Sequence, residues 1–277
     1  MVELKLGSAA RRSATAKRKK APPRWLNLPG LACCVAVTVL LEILVRAGAL
    51  AGFLPTPSDM ARALASSLFS GAIMYDLWMT LSVYAAGLAL AAVLGTALGC
   101  AKGLSRRFDN ATRLLIELLR PVPAVALIPM AILLLGLAGL MRFSVVTYAA
   151  IWPILYNTYY GVRGVEQLGI DTARNFGIPR SRIIRSVVLR SALPSVTTGL
   201  RISSSIALIL TVTAELVAGT NGLGYFIAQA EQTSRLADMY AGIALTGILG
   251  YLLNGLFIAV ERRALFWDQS YRERVSA

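Results

Sequence analysis

The sequence predicts an all-α polytopic membrane protein with about six transmembrane helices, and three observations carry this prediction. Of the 277 residues, 56% are hydrophobic and only 15% are charged, with a mean hydropathy of +0.64. Soluble domains carry about 25% charged residues. Apolar runs of about 20 residues, long enough to cross a bilayer as a helix, recur along the chain. The Lys and Arg residues are distributed very unevenly among the segments that connect these runs.

The composition also excludes several classes of function. His is absent, which removes the commonest general base and a common metal ligand. The three Cys residues lie inside apolar runs, so the sequence predicts neither a disulfide framework nor a zinc site. A net charge of +14 would suggest nucleic-acid binding in a soluble protein, but in a membrane protein it more often reports topology. We therefore expect no nucleic-acid partner and no metal site.

The chain divides into a basic tail, a transmembrane domain and a second short tail. Residues 1–30 carry eight Lys and Arg residues, and we expect them to form a cytoplasmic arm that contacts anionic lipid headgroups. The transmembrane domain is predicted over 31–262. Residues 263–277 are predicted to form a polar cytoplasmic tail.

Apolar runs inside this domain predict the spans. Residues 58–69 are too short and too polar to cross a membrane, so we expect an interfacial helix there, on the outer face. The predicted spans are, in order, 31–50, 77–101, 114–140, 143–160, 193–218 and 240–260.

The distribution of basic residues tests this count. With the N-terminus in the cytoplasm, the inner segments hold 22 of the 28 Lys and Arg residues. The outer segments hold four, namely Arg46, Arg62, Arg142 and Arg235. This bias is what the positive-inside rule predicts for six spans with both termini cytoplasmic, whereas five spans would place the last basic tail outside.

Glycine and proline predict local geometry within the spans. Gly95, Gly99 and Gly103 recur every four residues, which predicts close approach of another helix, with a pore-lining role as the alternative. Three prolines between Pro121 and Pro129 should break or kink the third span. That break is either a feature of the fold or faces a cavity.

A basic loop over 163–192 separates the fourth and fifth spans. The sequence predicts a short helix over 171–176 that ends at Gly177, and a second helix that begins near Pro179. Two short helices would form a projecting knob that can dock into a groove on a soluble partner. The alternative is a basic surface loop that only enforces topology.

Motifs in this loop resemble a known family. Asp171-Thr172-Ala173, followed by Gly177 and then by Leu193-Pro194, is similar to the coupling ("EAA") loop of inner-membrane permeases of ABC importers. Asp171 and Thr172 stand where that family usually has Glu and Ala. Over residues 55–260 the chain resembles the nitrate, sulfonate, taurine and bicarbonate branch through an ordered set of motifs: Thr80-Leu81, the series Gly87/Gly95/Gly99/Gly103, Leu119-Arg120-Pro121-Val122-Pro123, Pro129, Leu135-Gly136, Trp152-Pro153, Asn157-Thr158, and Glu215 with Gly222-Leu223-Gly224-Tyr225.

The resemblance implies a type I ABC importer permease fold and a permease domain over 31–262. It further implies a homodimer in a bacterial inner membrane, a separate ATPase, and a periplasmic or lipid-anchored substrate-binding protein that delivers a small anion. The chain contains no Gly-x-x-x-x-Gly-Lys-Ser/Thr phosphate loop. We therefore expect no catalytic site and no cofactor on this chain, with ATP and Mg bound by the partner ATPase.

The resemblance and the charges inside the spans nominate two groups of residues. The expected ATPase-coupling residues are Asp171, Thr172, Ala173, Phe176, Gly177 and Pro194. The candidates for the translocation path or its gates are Arg201, Glu215, Asn157 and Arg120, since charged residues within spans are expensive. Three of the path candidates also have a structural alternative: Arg201 could pair with a carboxylate, Glu215 could anchor the loop 219–225, and Asn157 could pack between helices. Structural roles are expected for Glu42, Asp76 and Glu117.

Two other classes of function compete with the importer permease. An ion-coupled secondary transporter would favour internal repeats with buried carboxylates in corresponding halves, and the sequence shows neither. A membrane-embedded transferase would favour His, Asp or Glu clustered at one membrane face, whereas here the carboxylates are scattered. Neither class explains the predicted cytoplasmic knob.

Overall fold

The computed structural model describes residues 28–265 apart from positions 50, 51, 53 and 138. Both predicted tails therefore lie outside the described residues, except for the last three positions of 1–30 and the first three of 263–277. Two compact units are present, 1–57 and 58–277. The described part of the first unit contains one apolar helix, in which Arg46 and Glu42 form an ion pair of 2.7 Å.

The described residues form helices and the turns that connect them, with no strand among them. The helices are α1 (Leu28–Arg46), α2 (Pro57–Phe69), α3 (Ala72–Leu104), α4 (Arg106–Leu119), a 3₁₀ turn (Ala124–Leu127), α5 (Ile128–Leu135), α6 (Gly139–Arg163), α7 (Gln167–Asn175), α8 (Arg180–Ala218), α9 (Leu223–Gln232) and α10 (Leu236–Ala264).

Five of these helices, α1, α3, α6, α8 and α10, are long and apolar enough to cross a membrane. A sixth crossing is available if α4 and the bent segment that follows it count as one broken span. The all-α prediction with about six spans is thus confirmed. Helices α3, α6 and α10 extend several residues beyond the predicted runs at both ends, because helical hydrogen bonding continues past the apolar part of each run, whereas α1 ends at Arg46, before the predicted end at position 50.

The third span is broken where the prolines predict a break. The axes of Arg106–Leu119 and Ala124–Leu135 differ by 82°. Pro121 and Pro123 lie in the break, but Pro129 lies in the first turn of α5, where a missing N–H costs no helical bond. The first segment begins earlier than predicted because Ser105 caps it: the Ser105 hydroxyl accepts a hydrogen bond of 3.3 Å from Phe108 N.

The core of the second unit forms where α6 packs between α3 and α8. The glycine series lies at the α3–α6 contact. A Cβ added at Gly99 would lie 2.6 Å from Leu155 O, and one added at Gly103 would lie 2.6 Å from a Val162 methyl carbon. These distances are too short for any larger residue, so the prediction of close helix packing is confirmed.

The expected second short helix after Pro179 is wrong. The helix that begins at Arg180 continues to Ala218, through a π-helical turn at Ile184–Val188 and past Pro194. Pro194 removes only one backbone donor, while buried Val188 and Ala192 pack against the end of α6 and hold the helix together. Only α7 is a separate short helix in the loop.

Helix α9 was not predicted, because 219–225 reads as a glycine-rich loop in the sequence. It begins at Leu223 and buries one face, formed by Leu223, Phe226, Ile227 and Ala230, against α3, α8 and α10.

Candidate functional site

Helix α7 is the predicted coupling helix, and its end is sharply defined. Gly177 has a φ of +70°, a conformation that favours glycine. Its N–H donates to Arg174 O (2.9 Å), and Ile178 N donates to Ala173 O (3.1 Å). These are the hydrogen bonds of a glycine-terminated helix, and they turn the chain directly into α8.

Helix α7 has a buried face and an exposed face. Ala173 is buried, and Ile170 packs against the cluster of Val162, Val188 and Ala192 at the ends of α6 and α8. On the opposite side Leu168 is exposed, and the Phe176 ring at the helix end is 81% exposed. Two large apolar side chains exposed on a short, firmly attached helix are typical of a docking surface.

The polar coupling candidates are exposed as well. The Asp171 carboxylate accepts hydrogen bonds from Gln167 (3.2 Å) and Arg174 (3.1 Å), both on the same helix. The Thr172 hydroxyl donates to Leu168 O (2.8 Å). The structure thus places Asp171, Thr172 and Ala173 on α7, with Phe176 and Gly177 directly after its last residue.

Pro194 lies elsewhere. It is inside α8, about 20 Å along the helix from Arg180 at 1.5 Å per residue. Its carbonyl accepts hydrogen bonds from the Thr197 and Thr198 hydroxyls, at 2.9 Å each. Pro194 therefore lies within a span and not on the exposed tip of α7.

Glu215 is the centre of a buried polar cluster. Its side chain lies near the end of α8 and is 1% exposed. One carboxylate oxygen accepts hydrogen bonds from the Thr80 hydroxyl (2.8 Å) and from Gly224 N (3.0 Å). Its other oxygen is 3.6 Å from an Arg142 nitrogen. We call Asp76, Thr80, Arg142, Glu215 and Asn221 the Glu215 cluster.

The Glu215 cluster fixes the loop between α8 and α9. Arg142 donates to both the backbone and side-chain oxygens of Asn221, at 2.9 Å each. Asp76 accepts from Gly222 N (2.7 Å), and Leu223 N donates to the Thr80 hydroxyl (2.8 Å). Glu215 therefore anchors a loop, which is the structural alternative that the sequence left open.

Glycine is required at the centre of this loop. Gly222 has a φ of +107°, and a Cβ there would lie 2.3 Å from the Glu215 carboxyl carbon. A Cβ at Gly224 would lie 2.3 Å from Val212 O. Any larger residue at either position would displace the Glu215 side chain or the loop.

A second charge cluster lies at the other end of α3, and we call Lys102, Asp109, Tyr159 and Arg163 the Asp109 cluster. Lys102 is 3% exposed, with its ammonium 2.8 Å from one Asp109 oxygen. The second oxygen is 3.1 Å from Arg163 and accepts from the Tyr159 hydroxyl at 3.0 Å. One carboxylate thereby joins α3, α4 and α6 next to the start of α7.

Arg201 pairs with a carboxylate that the sequence did not single out. Its guanidinium lies 3.5 Å from Glu261, and the Thr197 hydroxyl is 3.4 Å from the other Glu261 oxygen. The Glu261 side chain is buried, whereas that of Arg201 is 49% exposed. The contact joins α8 to α10.

Asn157 and Arg120 lie at two further places. The Asn157 amide donates to Pro153 O (2.8 Å), and its Cβ would be 2.8 Å from a Cβ added at Gly199, so it packs at the α6–α8 contact. Arg120 lies in the break after α4, with its guanidinium 4.5 Å from the ring centre of Tyr156. No hydrogen bond or ion pair in the described part of the chain joins any two of the four path candidates.

Sequence reasoning missed Arg142, Asn221, Lys102, Asp109 and Glu261 as functional or organising residues. Lys102 pairs with Asp109 on the next helix, and the other partners described above are 50 to 79 positions away, so no local pattern marks them. One signal was available: a buried carboxylate such as Glu215 needs a compensating group, and Arg142 is the basic residue that immediately precedes the fourth predicted span.

Comparisons with known proteins agree with this architecture. Residues 90–265 match the family described as binding-protein-dependent transport system inner membrane component. SsuC of Bacillus subtilis, named as an aliphatic sulfonates transport permease, is 30% identical over 267 residues, 96% of this chain and 97% of the relative. The taurine transport system permease protein TauC of Escherichia coli is 32% identical over 220 residues, 78% of this chain and 80% of the relative.

A solved structure shows the same fold. A chain of the MetNI methionine ABC transporter superposes with a TM-score of 0.61 at 18% sequence identity, covering 69% of this chain and 95% of that chain. At this identity the likeness is one of fold. The family match covers more than half of the sequence, so this chain belongs to the binding-protein-dependent transport system inner membrane components and is a permease subunit of an ABC importer.

Proposed function

We propose that this permease subunit moves a small anion of the sulfonate, taurine, nitrate or bicarbonate class across a bacterial inner membrane by alternating access. Two copies form the path, a periplasmic or lipid-anchored binding protein delivers the anion, and a separate ATPase that binds ATP and Mg drives the cycle. The observation that carries the proposal is α7, which exposes Leu168 and Phe176 from a fixed base.

The connections of α7 suit it to transmit a rigid-body motion. Three residues, 164–166, join it to α6, and four residues, Phe176 to Pro179, join it to α8. Ile170 and Ala173 pack it against those two helices. A partner that displaces α7 therefore displaces α6 and α8 together, which is the kind of motion that switches a path between its two openings.

Family membership supports the partner assignment. ATP hydrolysis in such importers belongs to a separate subunit, and the Phe176 ring suits insertion into an apolar groove on it. Asp171 adds a charged group beside that ring, so the docking surface combines an apolar anchor with a polar rim.

The names of several relatives support a small anionic cargo. The relatives include permeases named for aliphatic sulfonates, for taurine and, at 32% identity over 189 residues in Synechococcus elongatus, for bicarbonate. Arg120 and Arg201 are exposed cations on the break of the third span and on α8, where either could attract an anion.

Uptake into proteoliposomes tests the proposal. The permease is reconstituted with its ATPase and binding protein, and uptake of taurine, an aliphatic sulfonate, bicarbonate and an organic cation is measured with and without ATP. We expect ATP-dependent uptake of at least one anion. Uptake of the cation alone would contradict the assigned cargo class.

The coupling claim has a matched pair of variants. Phe176→Asp should reduce ATP-driven uptake at least tenfold, because it places a carboxylate in the apolar contact. Phe69→Asp makes the same change at a phenylalanine that is 93% exposed at the end of α2, and it should leave uptake close to wild type. Equal uptake by both variants would contradict the role of α7.

A further inference from the structure

An arginine-rich pocket lies at the base of α7, apart from its exposed tip. It has a cavity volume of about 370 Å³ and opens where α3 and α6 end and where α4, α7 and α8 begin. Four guanidinium groups line it, those of Arg106, Arg163, Arg174 and Arg180. None of the residues that line the pocket is Asp or Glu.

Two of the four arginine charges are compensated. Arg163 lies 3.1 Å from Asp109, and Arg174 lies 3.1 Å from Asp171. Arg106 and Arg180 have no carboxylate within ion-pair distance in the described part of the chain. The pocket therefore carries about two uncompensated positive charges.

The rest of the lining is mainly apolar. Val162 and Val188 are buried side chains of the cluster beneath α7, and Ile183 adds a third apolar wall. An anion with a short apolar portion would satisfy both surfaces. Arginine is the residue best suited to a phosphate group, because its planar guanidinium can donate two parallel hydrogen bonds to two phosphate oxygens.

The position of the pocket along the spans agrees with this chemistry. Gly103 and Leu104 end α3, and Val162 and Arg163 end α6. The ends of membrane-spanning helices lie at the depth of lipid headgroups, and basic pockets between such helices on the cytoplasmic side can hold those headgroups.

We infer that this pocket binds a phosphate group, carried by an anionic lipid headgroup or free in the cytosol. Arg106 and Arg180 hold its oxygens, and the apolar wall receives the neighbouring carbon atoms. The bound phosphate ties the start of α4 to the start of α8 beneath the coupling helix. This site does not depend on which solute the permease carries.

Binding to the purified full-length chain tests the inference. The probes are a short-chain phosphatidylglycerol, the matching phosphatidylcholine and inorganic phosphate, each titrated in a nonionic detergent. The readouts are the rise in thermal midpoint, which reports affinity by mass action, and lipid retention in native mass spectrometry. We expect binding of phosphatidylglycerol over phosphatidylcholine.

Matched variants locate the site. Arg106→Gln with Arg180→Gln should weaken binding at least tenfold. Arg107→Gln with Arg182→Gln removes the same charge from the same two helices outside the pocket, and it should retain wild-type affinity. All four arginine side chains are exposed, so without ligand both double variants should unfold at the same thermal midpoint. If the variant with Arg106→Gln and Arg180→Gln unfolds at a lower midpoint, the binding test is repeated with each single variant.

Each outcome has a definite meaning. Phosphatidylglycerol binding without inorganic phosphate binding identifies a lipid site, and binding of both shows that a phosphate group alone suffices. Equal loss in the two variant pairs, equal affinity for phosphatidylcholine, or no binding would overturn the inference. Loss of ATPase association with unchanged phosphatidylglycerol binding in the pocket variant would also overturn it, since the arginines would then form a protein-docking surface.

Discussion

The two ends of α3 hold charge clusters of different character. At one end, the Glu215 cluster is buried and hydrogen-bonded largely to backbone N–H and C=O groups of a single loop. At the other end, about 33 Å away along the helix, the Asp109 cluster joins side chains of three helices and leaves Arg163 partly exposed. The first arrangement holds one loop conformation. The second can lose one contact and keep others, which suits an end of the bundle that moves.

Packing differs in the same sense between the loop that joins α8 to α9 and the turn that ends α7. Gly222 and Gly224 have no room for a Cβ beside Glu215. Around α7, by contrast, a Cβ added at Gly169 would meet only Val187, at an ordinary distance of 3.9 Å, and Gly177 has open space around it. The loop held by the Glu215 cluster is therefore tightly packed, whereas α7 and the turn that ends it have room around their glycines.

The largest effect is expected from Glu215→Ala. The substitution leaves Arg142 buried without its carboxylate, which costs about 3–5 kcal/mol. The loop between α8 and α9 also loses the acceptor for Gly224 N. Thermal unfolding in detergent measures the change. Glu117→Ala, which removes an exposed carboxylate of α4, is the control and should unfold close to wild type. A similar loss in both variants would contradict the stabilising role of the buried Glu215 carboxylate.

Gly222→Ala should have the next largest effect. The new Cβ clashes with the Glu215 carboxylate and holds an alanine at a φ of +107°, so we expect a loss of about 2–3 kcal/mol. Gly247→Ala in α10 meets no atom within 4 Å and should be neutral or slightly stabilising, as in an ordinary helix. Both changes can be read from thermal midpoints. An unchanged midpoint for Gly222→Ala would show that the loop is not held as the structure describes it.

Asp109→Asn should have a smaller effect on unfolding and a clear effect on coupling. The amide keeps the shape of the carboxylate but removes the charge that faces buried Lys102, which costs about 2 kcal/mol. Because α3, α4 and α6 lose their common partner beside α7, ATP consumption per transported solute should rise. The ratio of ATPase rate to uptake rate measures this. A loss of stability with an unchanged ratio would make the cluster purely structural.

The smallest effect on stability is expected from Arg201→Gln, and it separates the two explanations of that residue. A half-exposed ion pair contributes no more than about 1 kcal/mol, so unfolding should hardly change. If Arg201 attracts the anion, the KM for uptake should rise several-fold with an unchanged midpoint. An unchanged KM would assign Arg201 to its contact with Glu261 alone.

Features with a local sequence signal could be predicted. The spans follow from runs of apolar residues, the break after α4 from Pro121 and Pro123, and the end of α7 from Gly177. Each of these depends on neighbours within a few positions, so periodicity and backbone preference suffice. A close helix contact at Gly95, Gly99 and Gly103 was also predictable from their four-residue spacing, whereas the sequence did not identify α6 as the partner.

Features that depend on distant partners could not be predicted. Arg142 and Asn221 are 79 positions apart, and Asp76 and Gly222 are 146 apart. Helix α9 reads as a loop because Gly219, Gly222 and Gly224 dominate its start. Burial against three other helices stabilises it, together with the hydrogen bonds that its first residues donate to the distant Thr80 and Glu215. Packing also keeps α8 continuous past Pro194, where a proline alone would suggest an end.

Photo-crosslinking from the coupling helix tests the central claim most directly. A benzophenone amino acid replaces Phe176 in one variant and Phe69 in another, and the assembled complex is irradiated with and without ATP. We predict an ATPase adduct from position 176, with a yield that changes when ATP binds, and none from position 69. An ATPase adduct from position 69, or none from position 176 in an assembled and active complex, would contradict the role assigned to α7.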